Sequence, residues 1–367
     1  MSKVDRLRVG VVGAGWRGQY FVKLIAHFPD LLECVGVVAR HEPARSEVAE
    51  RWQVPVFPTV PELLSTAHPH FVVTSVSWEA NPSIVDELVG HGIPVLSETP
   101  PAPDLPRLRE LWERVGASEL VQVAEQYALM PTHAARLAAM GQGLIGEVSS
   151  VQISSTHLYH AASLIRRYLG AGFERASVSA RRFTGPLVNP SDRSGWTHDP
   201  IPHQATTTIA TLEFEGGRSA VYDFTDNQSR NHLRSRRLLL RGSLGEIDDD
   251  RVVRLVDPET ILESRIVRHQ TGYELDHEGF DTAHLSVDGK VLWRNPFLGR
   301  RFNDEDVAMS AALLSMAGWV RGSGPAPYPL AEAAQDQLVG LAIEQSADEQ
   351  RLVCTSQEAW AASLPHR

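Results

Sequence analysis

Short apolar runs alternate with amphipathic stretches along the first third of the chain. "LRVGVVG" reads as a buried strand, and residues 15–27 follow as a helix that spaces Tyr20, Phe21, Leu24, Ile25 and Phe28 for burial. "ECVGVVAR" predicts a second strand and "PARSEVAERWQ" a second helix. "HFVVTSVS", "IPVLSE" and "LVQVAEQY" read as further strands. Between them lie helices over "NPSIVDELVGHG", beginning near Pro82, and "DLPRLRELWERVG". Strand–helix alternation with short connections predicts a parallel, doubly wound sheet.

The period changes after about residue 125. A helix over "PTHAARLAAMGQG" precedes "GEVSSVQISST", which alternates like a strand exposed on one face. "ASVSARRFTG", "TTTIATLEFEGGRSAVYDFTD", "RRLLLRGSLGEIDDD", "RVVRLVD" and "SVDGKVLWR" read as more strands, with Gly216–Gly217 as a hairpin turn. Such a succession predicts a mostly antiparallel sheet. Two helices close the chain, over "DEDVAMSAALLSMAGWVRG" and "LAEAAQDQLVGLAIEQSADEQ". The expected organisation is α/β: a doubly wound domain over 1–124 and a second α/β domain over 125–367.

Bulk properties narrow the function classes. A net charge of −10 argues against a nucleic-acid surface, which needs clustered lysine and arginine. The run "RNHLRSRRLLLR" is basic but passes into an apolar strand, and reads as a solvated edge or a patch for an anionic substrate. No stretch approaches the roughly 18 apolar residues that cross a bilayer, and "MSKVDRLRVGVVGAG" lacks the apolar core of a signal peptide. Cys34 and Cys354 are the only cysteines. They suggest neither a disulfide framework nor a metal site, so a reduced, cytoplasmic setting is expected.

"VGVVGAGWRG" places Gly13, Gly15 and Gly18 in G-x-G-x-x-G spacing after a strand and at a helix start. The first glycine permits a tight turn, the second lets backbone amides approach a pyrophosphate, and the third lets helix pack on strand. Ala14, Trp16 and Arg17 complete this candidate dinucleotide loop. At the end of the second strand, where an acidic residue usually binds the ribose 2′-hydroxyl of NAD, stand Ala39 and Arg40. A missing carboxylate and a nearby guanidinium tilt the expectation toward NADP over NAD, with Glu42 close enough to complicate it. Ser75, Ser77 and Asn81 follow a strand at the carboxyl edge, where such sheets bind ligands, and Asn81 also reads as a helix cap.

These segments resemble the Gfo/Idh/MocA oxidoreductase family, named for glucose–fructose oxidoreductase, inositol dehydrogenase and a rhizopine-catabolism protein. The resemblance rests on "GAGWRG", "HGIPVLSETP", "GLIGEVSSVQ", "HAASLIRRYLG", "GSLGEI" and the closing helices, and covers nearly all of the chain. It implies a Rossmann domain, a second α/β domain whose open sheet forms homodimer or homotetramer contacts, and a cleft for a sugar, cyclitol or related small molecule. The family's Glu-Lys-Pro becomes Glu98, Thr99 and Pro100 here, so threonine replaces the lysine. Of its Asp-x-x-x-His pair, Thr156 takes the aspartate place and His160 keeps the histidine. Threonine donates a hydrogen bond but is no acid or base near neutrality.

Replacement proton carriers are sought in "THLYHAAS": His160 first, then Tyr159 and His157. An extended stretch would put His157 and Tyr159 on one face with His160 on the other. A helix start would bring His157 and His160 together. Gln126, Tyr127, His160, Trp196 and His203 are the candidate substrate contacts, with "SDRSGWTHDPIPHQ" read as a loop over the substrate. His157, His160, His198 and His203, even with Asp192 and Asp199, make a weak case for zinc, and no metal is expected. The leading expectation is an NAD(P)-dependent oxidoreductase. Its alternatives are a cofactor-binding sensor or partner protein with little turnover, and a redox-neutral enzyme of tightly held NAD(P).

Overall fold

The computed structural model describes residues 6–274 and 280–362. Contacts divide the chain into two units. One ends at Gln126 and takes in Ala308–Ala334, and the other comprises Tyr127–Val307 and Gln335–Ala361.

The first unit is a six-stranded parallel sheet. Its strands are β1 (Leu7–Val12), β2 (Leu32–Val38), β3 (Val56–Phe57), β4 (Phe71–Thr74), β5 (Val95–Ser97) and β6 (Val121–Val123), in the order β3-β2-β1-β4-β5-β6. That is a doubly wound order whose direction switches beside β1. All residues of β4, β5 and β6 are buried, as expected of strands covered on both faces. The helices between strands are α1 (Trp16–Ala26), α2 (Glu42–Trp52), α3 (Val60–Ala67), α4 (Asn81–Gly90) and α5 (Leu105–Val115). In α5 the spacing of Leu108, Leu111 and Val115 buries one face, and Asp104 caps the start by accepting from the Arg107 amide at 2.9 Å.

Strand β3 and helix α3 were not anticipated, because a two-residue strand between Pro55 and Pro58 leaves no periodicity to read. Residues 308–334, expected with the second domain, pack with the first. Val123 donates its amide to the Tyr328 carbonyl at 2.8 Å, and Gln122 accepts from the Tyr328 amide at 3.1 Å.

The second unit begins with α6 (Pro131–Gly141), β7 (Val148–Ser154), α7 (Leu158–Leu169) and β8 (Ala176–Leu187). A small ribbon, β9 (Ser191–Asp192) and β10 (Gly195–Trp196), precedes β11 (His203–Phe214) and β12 (Ser219–Thr225). Gly217, at φ +75, makes the hairpin turn between β11 and β12. Then come β13 (Arg237–Gly242), β14 (Gly245–Asp248), β15 (Arg251–Asp257), β16 (Thr260–Arg265), β17 (Val267–Gln270), β18 (Thr282–Val287) and β19 (Lys290–Arg294). Along the chain, helix α8 (Asp304–Val320), which belongs to the first unit from Ala308 on, helix α9 (Leu330–Glu349) and a last strand, β20 (Val353–Cys354), follow.

Nine strands form one sheet, in the order β16-β15-β14-β13-β7-β12-β11-β8-β20. Its pairs are antiparallel except β7 with β12. One face is core: Val178, Ala180, Ala210, Leu212, Tyr222, Leu240 and Val252 are buried in a cluster with Leu164, Ile165 and Tyr168 of α7 and Val339 and Ile343 of α9. A buried Arg166–Asp336 ion pair ties α7 to α9. The opposite face is open and carries exposed Phe183, Ile209, Leu255 and Ile261.

Candidate functional site

Strand β1 runs into Gly13, whose φ is +119 and where an added Cβ would lie 2.0 Å from the Ser75 carbonyl oxygen. A Cβ on Gly18 would lie 2.0 Å from the Gly13 carbonyl oxygen. Both ends of the loop are therefore closed by backbone. Gly15 differs: it caps α1 with no side-chain cap, and a Cβ there would meet no atom within 4 Å. Open space beside a helix's first turn of amides is the geometry that admits a pyrophosphate, so these residues fit a dinucleotide.

Gln19, which spacing did not single out, braces this loop. Its amide donates to the Ala14 carbonyl at 3.1 Å, and its side-chain oxygen accepts from Trp52 Nε1 at 3.0 Å and from Arg51 at 3.1 Å. Trp16 is half exposed. The Arg17 guanidinium lies over the rings of Trp16, Tyr20 and Phe21 at 5.0–5.8 Å and donates to Glu98 at 2.5 Å.

Glu98 follows β5. Its other carboxylate oxygen accepts from the Thr99 amide at 3.0 Å and faces the Thr99 hydroxyl at 3.5 Å. The Glu98–Thr99–Pro100 segment therefore presents a fixed carboxylate and a hydroxyl, with no titratable base at Thr99. Ser75 donates its amide to the Val12 carbonyl at 2.8 Å beside the glycine loop, while Ser77 lies exposed at the turn into α4.

Asn81 corrects an expectation. Ala80, not Asn81, is the cap of α4, and Asn81 is 3% exposed. Its oxygen accepts from Thr74 Oγ1 at 2.8 Å, and its nitrogen donates to Ser97 Oγ and the Pro101 carbonyl, both at 2.9 Å. Through these bonds it locks the segment after β5. Arg40 is exposed, and Gln126 is buried with no partner for its side-chain oxygen among the described residues.

In the second unit, α7 begins at Leu158 with His157 as its cap residue. A helix start puts residues three apart on one side. The His157 and His160 ring centroids accordingly lie 5.2 Å apart, edge to face. Tyr127 packs on His160 at 4.5 Å and Tyr159 at 5.4 Å, so four of the expected residues share one aromatic cluster. His160 and Tyr159 are buried and His157 is exposed. Crowding by the surrounding protein first, then the neighbouring His160 and Arg230, push the His157 pKa below its ordinary value. Beside them Thr156 is fully buried, and its hydroxyl has no hydrogen-bond partner among the described residues.

Trp196 and His203 do not join this cluster. Trp196 is 72% exposed on the β9–β10 ribbon. His203 pairs with Asp199 at 2.8 Å, both exposed. A cavity of about 420 Å³ lies elsewhere in this unit, lined by Thr132, Arg136, Asp249, Asp250, Arg265 and Arg268 among others. None of these was a candidate, and the arginines are engaged by Asp249, Asp250 and Asp304.

Residues 7–126 match the model of the GFO_IDH_MocA family, described as an oxidoreductase family with an NAD-binding Rossmann fold. An uncharacterized protein of Saccharomyces cerevisiae, YMR315W, is 27% identical over 130 residues, which make up 34% of this chain and 37% of that protein. The chain thus matches little more than a third of that relative's length. A myo-inositol dehydrogenase from Corynebacterium glutamicum superposes with a TM-score of 0.66 at 19% identity, covering 96% of this chain and 99% of its own. An oxidoreductase from Agrobacterium radiobacter, in complex with NAD+, L-tartaric acid and magnesium, gives 0.69 at 15% identity, covering 95% and 98%. The WlbA dehydrogenase from Bordetella pertussis, in complex with NADH and UDP-GlcNAcA, gives 0.65 at 15% identity over the same shares. At these identities the likeness is one of fold: a Rossmann domain followed by a mostly antiparallel α/β domain.

Proposed function

With residues 7–126 carrying the NAD-binding Rossmann fold of the Gfo/Idh/MocA oxidoreductase family, we propose that this chain is an NAD(P)-dependent oxidoreductase. Its substrate would be a carbonyl or alcohol carbon of a sugar-like or cyclitol-like molecule. One observation carries the reading: Gly13 and Gly18 are sealed by backbone at 2.0 Å while Gly15 opens onto space at the start of α1. When bound, the nicotinamide supplies or accepts the hydride. The glycine loop holds the pyrophosphate, and Arg17, Glu98 and Thr99 shape the edge beside it. His160 takes or returns the hydroxyl proton, with Tyr159 and His157 packed against it. Ala39 and Arg40 favour NADP over NAD.

The substrate class draws on the company the fold keeps, a myo-inositol dehydrogenase and a dehydrogenase crystallised with a nucleotide sugar acid. The reading includes a cytoplasmic setting and a homodimer or homotetramer formed through the open face of the nine-stranded sheet. It is tested by following reduced nicotinamide against a panel of cyclitols and sugars with the wild type and His160→Ala. Loss of a positioned acid–base group costs ~10²–10⁴-fold in rate. Unchanged kcat and kcat/KM across pH in His160→Ala would remove His160 from the mechanism.

A second reading is favoured by Thr99 and Thr156, which put hydroxyls where the resemblance leads to a lysine and an aspartate. It takes two forms: a cofactor-binding sensor with little turnover, or a redox-neutral enzyme that returns the hydride it takes. Product formed without net change in reduced nicotinamide selects the redox-neutral form. No product from any substrate that the protein binds selects the sensor.

A further inference from the structure

The segment after β2 reads Ala39-Arg40-His41-Glu42, and it holds one carboxylate, Glu42, at the first position of α2. A carboxylate at this end of a Rossmann sheet binds ribose hydroxyls and repels a 2′-phosphate. Glu42 is engaged by protein instead. Arg45, one turn along α2, donates one guanidinium nitrogen to the Glu42 carboxylate and another to the carbonyls of Ala39 at 3.2 Å and Arg40 at 2.8 Å. A single half-buried guanidinium thus neutralises the carboxylate and ties down the backbone from which Arg40 projects. Arg40 is exposed, and its own guanidinium has no partner among the described residues.

We infer that Arg45 is a specificity-determining residue that directs this site to a 2′-phosphorylated dinucleotide, by withholding Glu42 from the ribose and leaving Arg40 as the uncompensated cation. The inference rests on the dinucleotide reading above and deepens it. Arg45 acts through its neighbours, so its removal is expected to change the ratio of affinities more than the capacity to bind. A guanidinium supplies several donors in a fixed fork, whereas an ammonium is a compact point charge on a flexible stem. Arg45→Lys is accordingly expected to restore only part of the effect.

The test is fluorescence titration of the full chain with NADPH and NADH, with 2′,5′-ADP and 5′-AMP as competitors that report the adenosine end alone. Wild type is expected to favour NADPH and 2′,5′-ADP. In Arg45→Ala that preference should fall by roughly tenfold, about 1.4 kcal/mol, with the NADH affinity held or raised. Glu42→Gln added to Arg45→Ala should bring the NADPH preference back, because the freed charge is then gone. A preference unchanged in Arg45→Ala, or not recovered in the double variant, overturns the inference and leaves the dinucleotide site standing. So does a wild type that binds NADH in preference. A wild type that binds neither nucleotide overturns both.

Discussion

The Arg17 guanidinium and the Glu98 carboxylate meet at 2.5 Å, joining the first turn of α1 to the segment that follows β5. Both side chains are about 15% exposed, and Glu98 also holds the Thr99 amide at 3.0 Å. The pair fixes a cation against the carboxylate that also holds Thr99. Removing either partner strands the other in a partly dry site. Arg17→Met or Glu98→Gln should each lower stability by ~1–3 kcal/mol. A double-mutant cycle in denaturant should return a coupling above ~0.5 kcal/mol, and additive losses would show that the pair is not a unit.

The three glycines of the loop should separate folding from binding. Gly13→Ala and Gly18→Ala drive a methyl into backbone at 2.0 Å, and Gly13 also sits at φ +119. Both variants are expected to lose ~2–4 kcal/mol or fail to fold. Gly15→Ala meets nothing and has φ −66, so its melting temperature should stay near wild type while nucleotide affinity falls. Calorimetry with and without NADPH reads both quantities at once.

His133 predicts a pH-dependent stability. It is 6% exposed, its Nδ1 lies 2.7 Å from the Tyr168 hydroxyl, and burial first and Arg136 second hold its pKa down at about 3. Burial pushes the Tyr168 hydroxyl above its ordinary value, so Tyr168 stays neutral beside it. Between pH 6.5 and about 3 the unfolded chain binds a proton at this histidine that the folded chain refuses. Its contribution is therefore fully present above pH 6.5 and is lost as pH falls, at up to ~1.4 kcal/mol per pH unit. Urea midpoints across pH 7 to 5 should decline less steeply in His133→Gln than in wild type. An unaltered slope would place the proton elsewhere.

Parts of this were legible from the chain and parts were not, for reasons that residues make plain. The glycine loop and most strands declare themselves because their causes are local: sealed turns, buried alternation and a Gly217 hairpin. Asn81 looked like a cap because the sequence shows Pro82 beside it. Its actual partners, Thr74, Ser97 and Pro101, lie 7, 16 and 20 residues away. Spacing alone left His157 and His160 open between two faces, and the helix start at Leu158 brings them together. Residues 308–334 join the first unit through contacts such as that of Gln122 with Tyr328, some 200 residues apart in sequence, which no window reads.

The open sheet face makes a prediction about assembly. Phe183 is 56% exposed, and Ile209 stands diagonally from it on the neighbouring strand, both turned away from the core. If copies of this chain associate there, Phe183→Glu should shift the mass measured by light scattering toward monomer while leaving the far-ultraviolet circular dichroism unchanged. A mass unaltered by Phe183→Glu would move the assembly surface elsewhere.

The proposed function requires that the Gly13–Gly18 loop bind a dinucleotide. The most direct measurement is titration of the purified protein with NADPH and NADH, following energy transfer from tryptophan to reduced nicotinamide, with a check for cofactor carried through purification. Trp16 lies within the loop itself and is half exposed. Saturable transfer is expected, tighter for NADPH and weakened in Gly15→Ala. No transfer with either nucleotide, and none carried through purification, would contradict it.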